Sequence, residues 1–490
     1  RRQVCELPRG IAYDEARDVL HVACAEGALV TLPAAESDEV IRRSQLQPDL
    51  RDVLVRGSEL YVSRFRSAEL LHLSAEGALL DRQRPPTLMA DEVTFTSPGK
   101  AETSLVERTP NVAWRMLDLP GKGLLTLHQR ARRSELRPTS AGNYYESSTG
   151  CAGGIVNTAL TLGTETARAV TVTMSLPLGV DVAVDPRFEL IAVVGAGALQ
   201  GGRALELFTV AAIENGEPVA PNAPQRCLDP LQSFNPSLPG QLTAVSFVSP
   251  FMLAVQTRMP SKVTFLDLRP TGAHSSIALP QDVPQGEGQQ AFYQVTRSGL
   301  ACASCHPEGG EDGHVWTLPE DGARRTQSLR GGFLGSEPFH WDGAMRDFRM
   351  LVDQVLIGRM GGPLLGDDQL RSLAHWLDGL PAYTQAQPAM PLAAERGKRL
   401  FESAEVGCSE CHGGPTFSNN DTVDVGTGGA FQVPSLRGGS LRGPFMHDGC
   451  AEDMLARFTL PDCGGGDQHG HTSQLSSDQL GDLIAYLSTL

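Results

Sequence analysis

The stretch Ser298–His306, "SGLACASCH", decides how the second half of this 490-residue chain is read. Its Cys302-x-x-Cys305-His306 returns as "CSECH", Cys408 to His412. Three chemistries use such a spacing. A redox dithiol expects a βαβ setting, which the surrounding sequence lacks. A zinc site needs a second Cys or His pair about 15–20 residues away, and here the two motifs lie 106 residues apart. Covalent haem needs two thiols for the two vinyl groups on one porphyrin edge and an imidazole just behind them. One helical turn supplies all three. The residues therefore predict two c-type haems, attached through Cys302 and Cys305 and through Cys408 and Cys411, with His306 and His412 as proximal iron ligands.

Working outward, the chain matches itself at that same shift of 106. Pro338-Phe339-His340-Trp341-Asp342-Gly343 falls on Pro444-Phe445-Met446-His447-Asp448-Gly449. "SLRGG" at Ser328–Gly332 meets "SLRGG" at Ser435–Gly439 one residue out of step. Each copy opens with a helix-like run (Gly288–Val295, Gly397–Ala404) and closes with another (Asp368–Leu380, Asp478–Leu490). Leu370, Leu373 and Leu377 recur as Leu480, Leu483 and Leu487, an apolar stripe facing a core. This predicts two mainly α-helical, class I cytochrome c-like domains, 286–385 and 393–490, joined by the Pro-rich Leu380–Leu392. The sixth iron ligands should come from the loop ahead of each last helix. Met360 holds that place in copy one and His469 in copy two. His340, His314 and Met350 stay open for the first haem, and His471, Met446 and His447 for the second.

Residues 1–285 read differently, as short apolar runs broken by Gly, Pro, Asp and Asn. "VLHVACAEGALVTL" (Val19–Leu32) is two strands about a turn, and Glu59–Leu73 repeats the shape about 40 residues later, each after a similar lead-in (Arg9–Asp14, Leu50–Val55). Repeats of about 40 residues with several strands each are propeller blades. The length predicts six or seven of them. No catalytic constellation is visible in this half, and His21, His72, His128 and His274 read as surface or packing residues.

The net charge of -16 argues against nucleic acid and anionic lipid and suits a basic protein partner. No apolar run is long enough for a transmembrane segment, and "RRQVCELPRG" shows no leader-like apolar region. Six of the ten cysteines lie outside the motifs, an even number that suits disulfides in an oxidising compartment. Cys450–Cys463 is the first choice, followed by Cys5–Cys24 and Cys151–Cys227. Covalent haem is installed outside the bacterial cytoplasm, so a periplasmic, cell-surface or secreted location is expected.

From about residue 286 the chain resembles the bacterial di-haem cytochrome c peroxidases and the related MauG-type enzymes. The resemblance is carried by the two Cys-x-x-Cys-His motifs, by "WDG" (Trp341–Gly343) and by "VPSLRGGSLRGPFMHDG" (Val433–Gly449). The first half resembles, more diffusely, the bacterial surface propellers joined to cytochrome domains. The family resemblance implies that the first haem reduces peroxide, that the second receives electrons, and that Trp341 relays between them. It also implies a calcium ion held partly by the backbone carbonyls of Arg442 and Pro444, and a small cytochrome or cupredoxin as donor. Two positions depart from the family. The catalytic Glu expected before the distal Met is Arg359 in "GRMGG", which cannot accept a proton but can stabilise developing charge. The family's Met or Tyr on the second haem has no counterpart in register, and His469 stands nearest. Three functions follow in order: a peroxidase-like oxidoreductase, an electron carrier with both haems six-coordinate, and a MauG-type enzyme oxidising a partner protein.

Overall fold

A computed structural model describes residues 2–37, 39–97, 100–136, 154–163, 169–197, 204–216, 228–234, 238, 240–269, 272–280, 286–383 and 390–490. The chain divides into two compact units, one of residues 1–307 with 358–364, the other of 308–357 with 365–490. The segment 286–307, which carries the first motif, groups with the first unit. Among the described residues no helix is long and apolar enough to cross a membrane.

The first unit is propeller-like. Five antiparallel sheets follow one another along the chain, and strands within each are hydrogen-bonded in sequence order. The strands Pro8–Asp14, Leu50–Arg56, Gly179–Val184 and Gln241–Ser249 open four of the sheets. The long strand Lys100–Leu119 takes the corresponding place in the five-stranded third sheet. These strands pack on one another from sheet to sheet, as the innermost strands of adjacent blades do. Apolar alternation explains the packing: Leu29, Leu60, Val62 and Leu71 fill one core, Leu127, Leu160, Ile191 and Phe208 the next, and Val194, Leu205, Leu253 and Val255 a third. Carboxylates tie neighbouring sheets at their inner edges. Asp52 accepts from the Met116 amide at 2.8 Å and Asp181 from the Val245 amide at 2.9 Å.

The expected six or seven blades are therefore five sheets among the described residues. The first two sheets start 42 residues apart, at Pro8 and Leu50, but the last two start 62 apart, at Gly179 and Gln241. Dividing length by the first interval counts insertions and one twenty-residue strand as blades.

At the end of this unit the helix Glu287–Tyr293 lies against the motif helix Cys302–Cys305. The run that follows it packs tightly on the propeller. A Cβ on Gly197 would stand 2.6 Å from Val295 Cγ2, so a larger residue there would have to push Val295 aside.

The second unit shows the duplication residue for residue. Phe339 bridges Met345 as Phe445 bridges Ala451, and His340 and Met446 share a left-handed backbone (φ 75° and 70°). Each copy also contains a short hairpin that helical periodicity did not reveal, Val315–Leu318 with Gly322–Arg325 and Thr422–Asp424 with Ala430–Gln432. The copies exchange hydrogen bonds about a local pseudo-two-fold. The Arg325 amide donates to the His447 carbonyl, and the equivalent Gln432 amide to the Trp341 carbonyl, both at 2.7 Å. The closing helices are Asp367–Asp378 and Ser477–Leu487, and the second copy opens with Pro391–Glu402. Residues 384–389 of the Pro-rich linker lie outside the described residues.

Candidate haem-binding sites

The four motif cysteines are not in disulfides, whereas Cys5–Cys24 and Cys450–Cys463 are bonded, with Cα atoms 6.3 and 5.7 Å apart. Both pairings were expected; Cys151 and Cys227 lie outside the described residues. Burial pushes the Cys302 thiol up to about 11 and raises Cys408 and Cys411 as well. Thiols so held are not the low-pKa thiolates of redox dithiols.

In the second motif, Cys408–Cys411 is one helical turn capped by His412, whose amide donates to the Cys408 carbonyl at 2.9 Å. The His412 ring is fixed: Nδ1 donates to the Phe417 carbonyl at 3.1 Å, which makes Nε2 the nitrogen that can ligate a metal. His469 is held the same way, its Nδ1 donating to the Gly464 carbonyl at 3.2 Å. The two ring centres lie 6.3 Å apart with planes 34° from parallel. A metal bonded at about 2 Å to one nitrogen of each ring would set the ring centres about 6 Å apart. Burial, with Arg457 adding to it, pulls His469 down to about 3 and also lowers His412. Both are neutral imidazoles, the form that ligates. These residues fit a haem with histidine on each face.

Local structure brings the pair together. The His471 amide donates to the Val406 carbonyl at 2.9 Å, drawing the loop onto the motif helix. Gly465 turns that loop at φ 82°, where a Cβ would stand 2.1 Å from the Val425 carbonyl oxygen. The half-buried Arg457 donates to the His469 carbonyl at 2.6 Å. Burial lowers its pKa only to about 10, so it stays charged beside the pair. Sequence reasoning missed Arg457; nothing in its spacing marks it. The competing His471 is exposed, Met446 holds a left-handed turn, and His447 stacks on Phe431 with ring centres 3.9 Å apart.

In the first motif, Cys302–Cys305 forms the same turn, and the His306 amide donates to the Cys302 carbonyl at 2.9 Å. Met360 is buried, follows the π-helix Val352–Arg359, and belongs to the same compact unit as this motif. π-turns of this kind recur at functional sites. Arg359 is half-buried in the last turn. Among the alternatives, His314 packs edge-on against Trp316, His340 lies 3.4 Å from Asp342, and Met350 lines an open cavity of about 680 Å³ with Arg346, Arg349 and Asp353.

Trp341 is 5% exposed and locked at both ends. Its Nε1 donates to the Arg325 carbonyl at 2.6 Å, and its ring meets His447 edge-on at 6.4 Å. Trp341 and His447 are equivalent positions of the two copies, brought together by the pseudo-two-fold. The carbonyls of Arg442 and Pro444 both accept from Arg325 Nη1.

No protein-family profile matches the chain. It is 27% identical to hydrazine synthase subunit gamma of Kuenenia stuttgartiensis over 258 residues, covering 39% of this chain and 72% of that protein. The solved Kuenenia stuttgartiensis hydrazine synthase pressurised with xenon matches at 24% identity and a TM-score of 0.38, over 41% of this chain and 86% of that one. A MauG-like protein associated with microbial copper homeostasis matches at 17% identity and a TM-score of 0.33, over 43% of this chain and 94% of that one. The structural scores are too low to bear on function. The sequence likeness to the hydrazine synthase subunit extends over about two fifths of the chain.

Proposed function

We propose that this chain is a di-haem c-type cytochrome with peroxidase-like redox activity. Cys302, Cys305 and His306 would hold one haem, and Cys408, Cys411 and His412 the other. When bound, such a group stores single electrons and, where its sixth position is open, offers iron at which two electrons and two protons reduce a peroxide to two waters. The observation that carries the reading is the facing pair His412 and His469, 6.3 Å apart at the ring centres with both Nδ1 atoms engaged. A site closed by two imidazoles is built for electron transfer, which leaves peroxide chemistry to the first motif. Arg457 keeps a positive charge next to that pair. It favours the reduced state and offsets the low potential that two imidazoles bring. Trp341 serves as the relay. The net charge of -16 suits a basic donor, and the two disulfides support an oxidising compartment.

A second reading, an electron carrier with both haems six-coordinate, is favoured by the buried Met360 and by Arg359, which cannot itself act as a general base. Electron paramagnetic resonance of the oxidised and half-reduced protein separates the two. A high-spin ferric signal, at rest or on half-reduction, supports peroxide reduction. Two low-spin signals that persist in both states and ignore peroxide leave the electron carrier.

A further inference from the structure

The resemblance to the di-haem peroxidases implies calcium on the carbonyls of Arg442 and Pro444. Here the residues do not fit it. Both oxygens accept from one nitrogen, Arg325 Nη1, with Pro444 at 2.7 Å. The Glu311 carboxylate stands 3.2 Å from the same nitrogen, and its other oxygen accepts from Arg442 Nε. Two carbonyls and a carboxylate are an oxygen set that suits a hard cation, and the point on which they converge carries a guanidinium. Arg325 and Glu311 are 6% and 2% exposed. At such burial a divalent ion and a guanidinium cannot share one place, because their repulsion is hardly screened.

The second copy shows what the position does without charge. Gln432, the counterpart of Arg325, donates its side-chain Nε2–H to the Ser336 carbonyl, the counterpart of Arg442, at 3.2 Å. Its other neighbour is the neutral Asn420, at 3.3 Å. Both copies thus reach a side chain into the turn of the other, but copy one reaches with a cation and meets Glu311. That cation is coupled to Trp341 through the backbone. The Arg325 carbonyl accepts the indole N–H, and the guanidinium carbon lies 5.9 Å from the indole centre.

We infer that Arg325 is a built-in cation: its guanidinium takes the place of the calcium ion, holds the turn before Trp341's counterpart, and makes the protein independent of calcium. The inference does not depend on the redox reading, and its test needs no turnover.

The holoprotein, stripped with EDTA, is titrated with calcium chloride by calorimetry and unfolded thermally with calcium or with EDTA. The wild type should show no binding heat and one Tm in both conditions. Arg325→Ala should melt lower, bind one calcium, and recover part of the loss; adding Glu311→Gln should abolish that recovery. Calcium binding that raises the wild-type Tm overturns the inference, as does a folded Arg325→Ala protein that calcium neither binds nor stabilises. If Arg325→Ala does not fold, Arg325→Lys decides beside the wild type. It keeps the charge and should ignore calcium, and a calcium-dependent Tm in it counts against the inference.

Discussion

His412 and His469 each give Nδ1 to a backbone carbonyl, so neither ring can turn without breaking a hydrogen bond in a half-buried site. His469→Ala should therefore leave the second haem five-coordinate, and a high-spin signal should appear at rest. His471→Ala should change nothing, because that side chain is exposed and only its amide is used. An unchanged low-spin spectrum in the His469→Ala protein would assign the ligand to another residue. Arg359 makes a different point at this scale. A guanidinium in the place of a carboxylate removes a proton acceptor while adding a charge stabiliser, and that single exchange separates the two readings of the first site.

At the scale of elements, the second copy depends on the crossing of Pro391–Glu402 with Ser477–Leu487. Ala394, Gly397, Phe401 and Leu483 bury the contact, and Arg396 forks onto Asp482 with two bonds of 2.6 Å. The helices meet so closely at Gly397 that a Cβ there would lie 1.9 Å from the Asp482 carbonyl oxygen. Gly397→Ala would gain about 1 kcal/mol of helix propensity. It would also force the helices apart, at about 1–3 kcal/mol or more for overpacking against backbone. The overlap should win, giving a net loss of about 2 kcal/mol in denaturant unfolding. A stabilised variant would show that the two helices separate freely. The short hairpins of each copy are the elements that bring Arg325 and Gln432 to the pseudo-two-fold, and with them Trp341 and His447.

Across the molecule, buried neutral histidines tie stability to pH. His128 lies inside the propeller core, its Nδ1 donating to the Gln129 carbonyl and its Nε2 facing Thr161 Oγ1, both at 2.8 Å. Burial, with Arg130 adding to it, pulls its pKa down to about 3. The unfolded chain takes up that proton near pH 6.5 and the folded one does not. This term is absent above pH 6.5. Below it, down to about pH 3, it removes about 1.4 kcal/mol of stability per pH unit. His128→Gln should flatten the fall of unfolding free energy between pH 6.5 and 4 relative to wild type. Parallel curves would mean that the ring protonates inside the fold. Carboxylates add slope of their own in this range, so the difference between the two proteins is the quantity to read.

The sequence alone determined whatever is local or periodic. Short apolar runs broken by turn residues located the strands Val19–Cys24, Glu59–Arg64 and Leu190–Gly195, which are buried along nearly their whole length. Self-similarity at 106 residues exposed the duplication, and Cys-x-x-Cys-His marked the proposed attachment points, because a helical turn fixes that geometry by itself. The loop ahead of the last helix pointed to His469, and the fold sets its ring 6.3 Å from that of His412. Tertiary structure decided the rest. Blade number depends on which insertions become strands, as the twenty residues of Lys100–Leu119 did. The cluster of Glu311, Arg325 and Arg442 joins groups 131 positions apart in the chain, and no spacing rule links them. Only folding two related copies together brings that carboxylate, those guanidinium groups and the carbonyls of Arg442 and Pro444 to one point. Charge compensation in a buried place is a property of the packed molecule, since each of those residues would be solvated in the open chain.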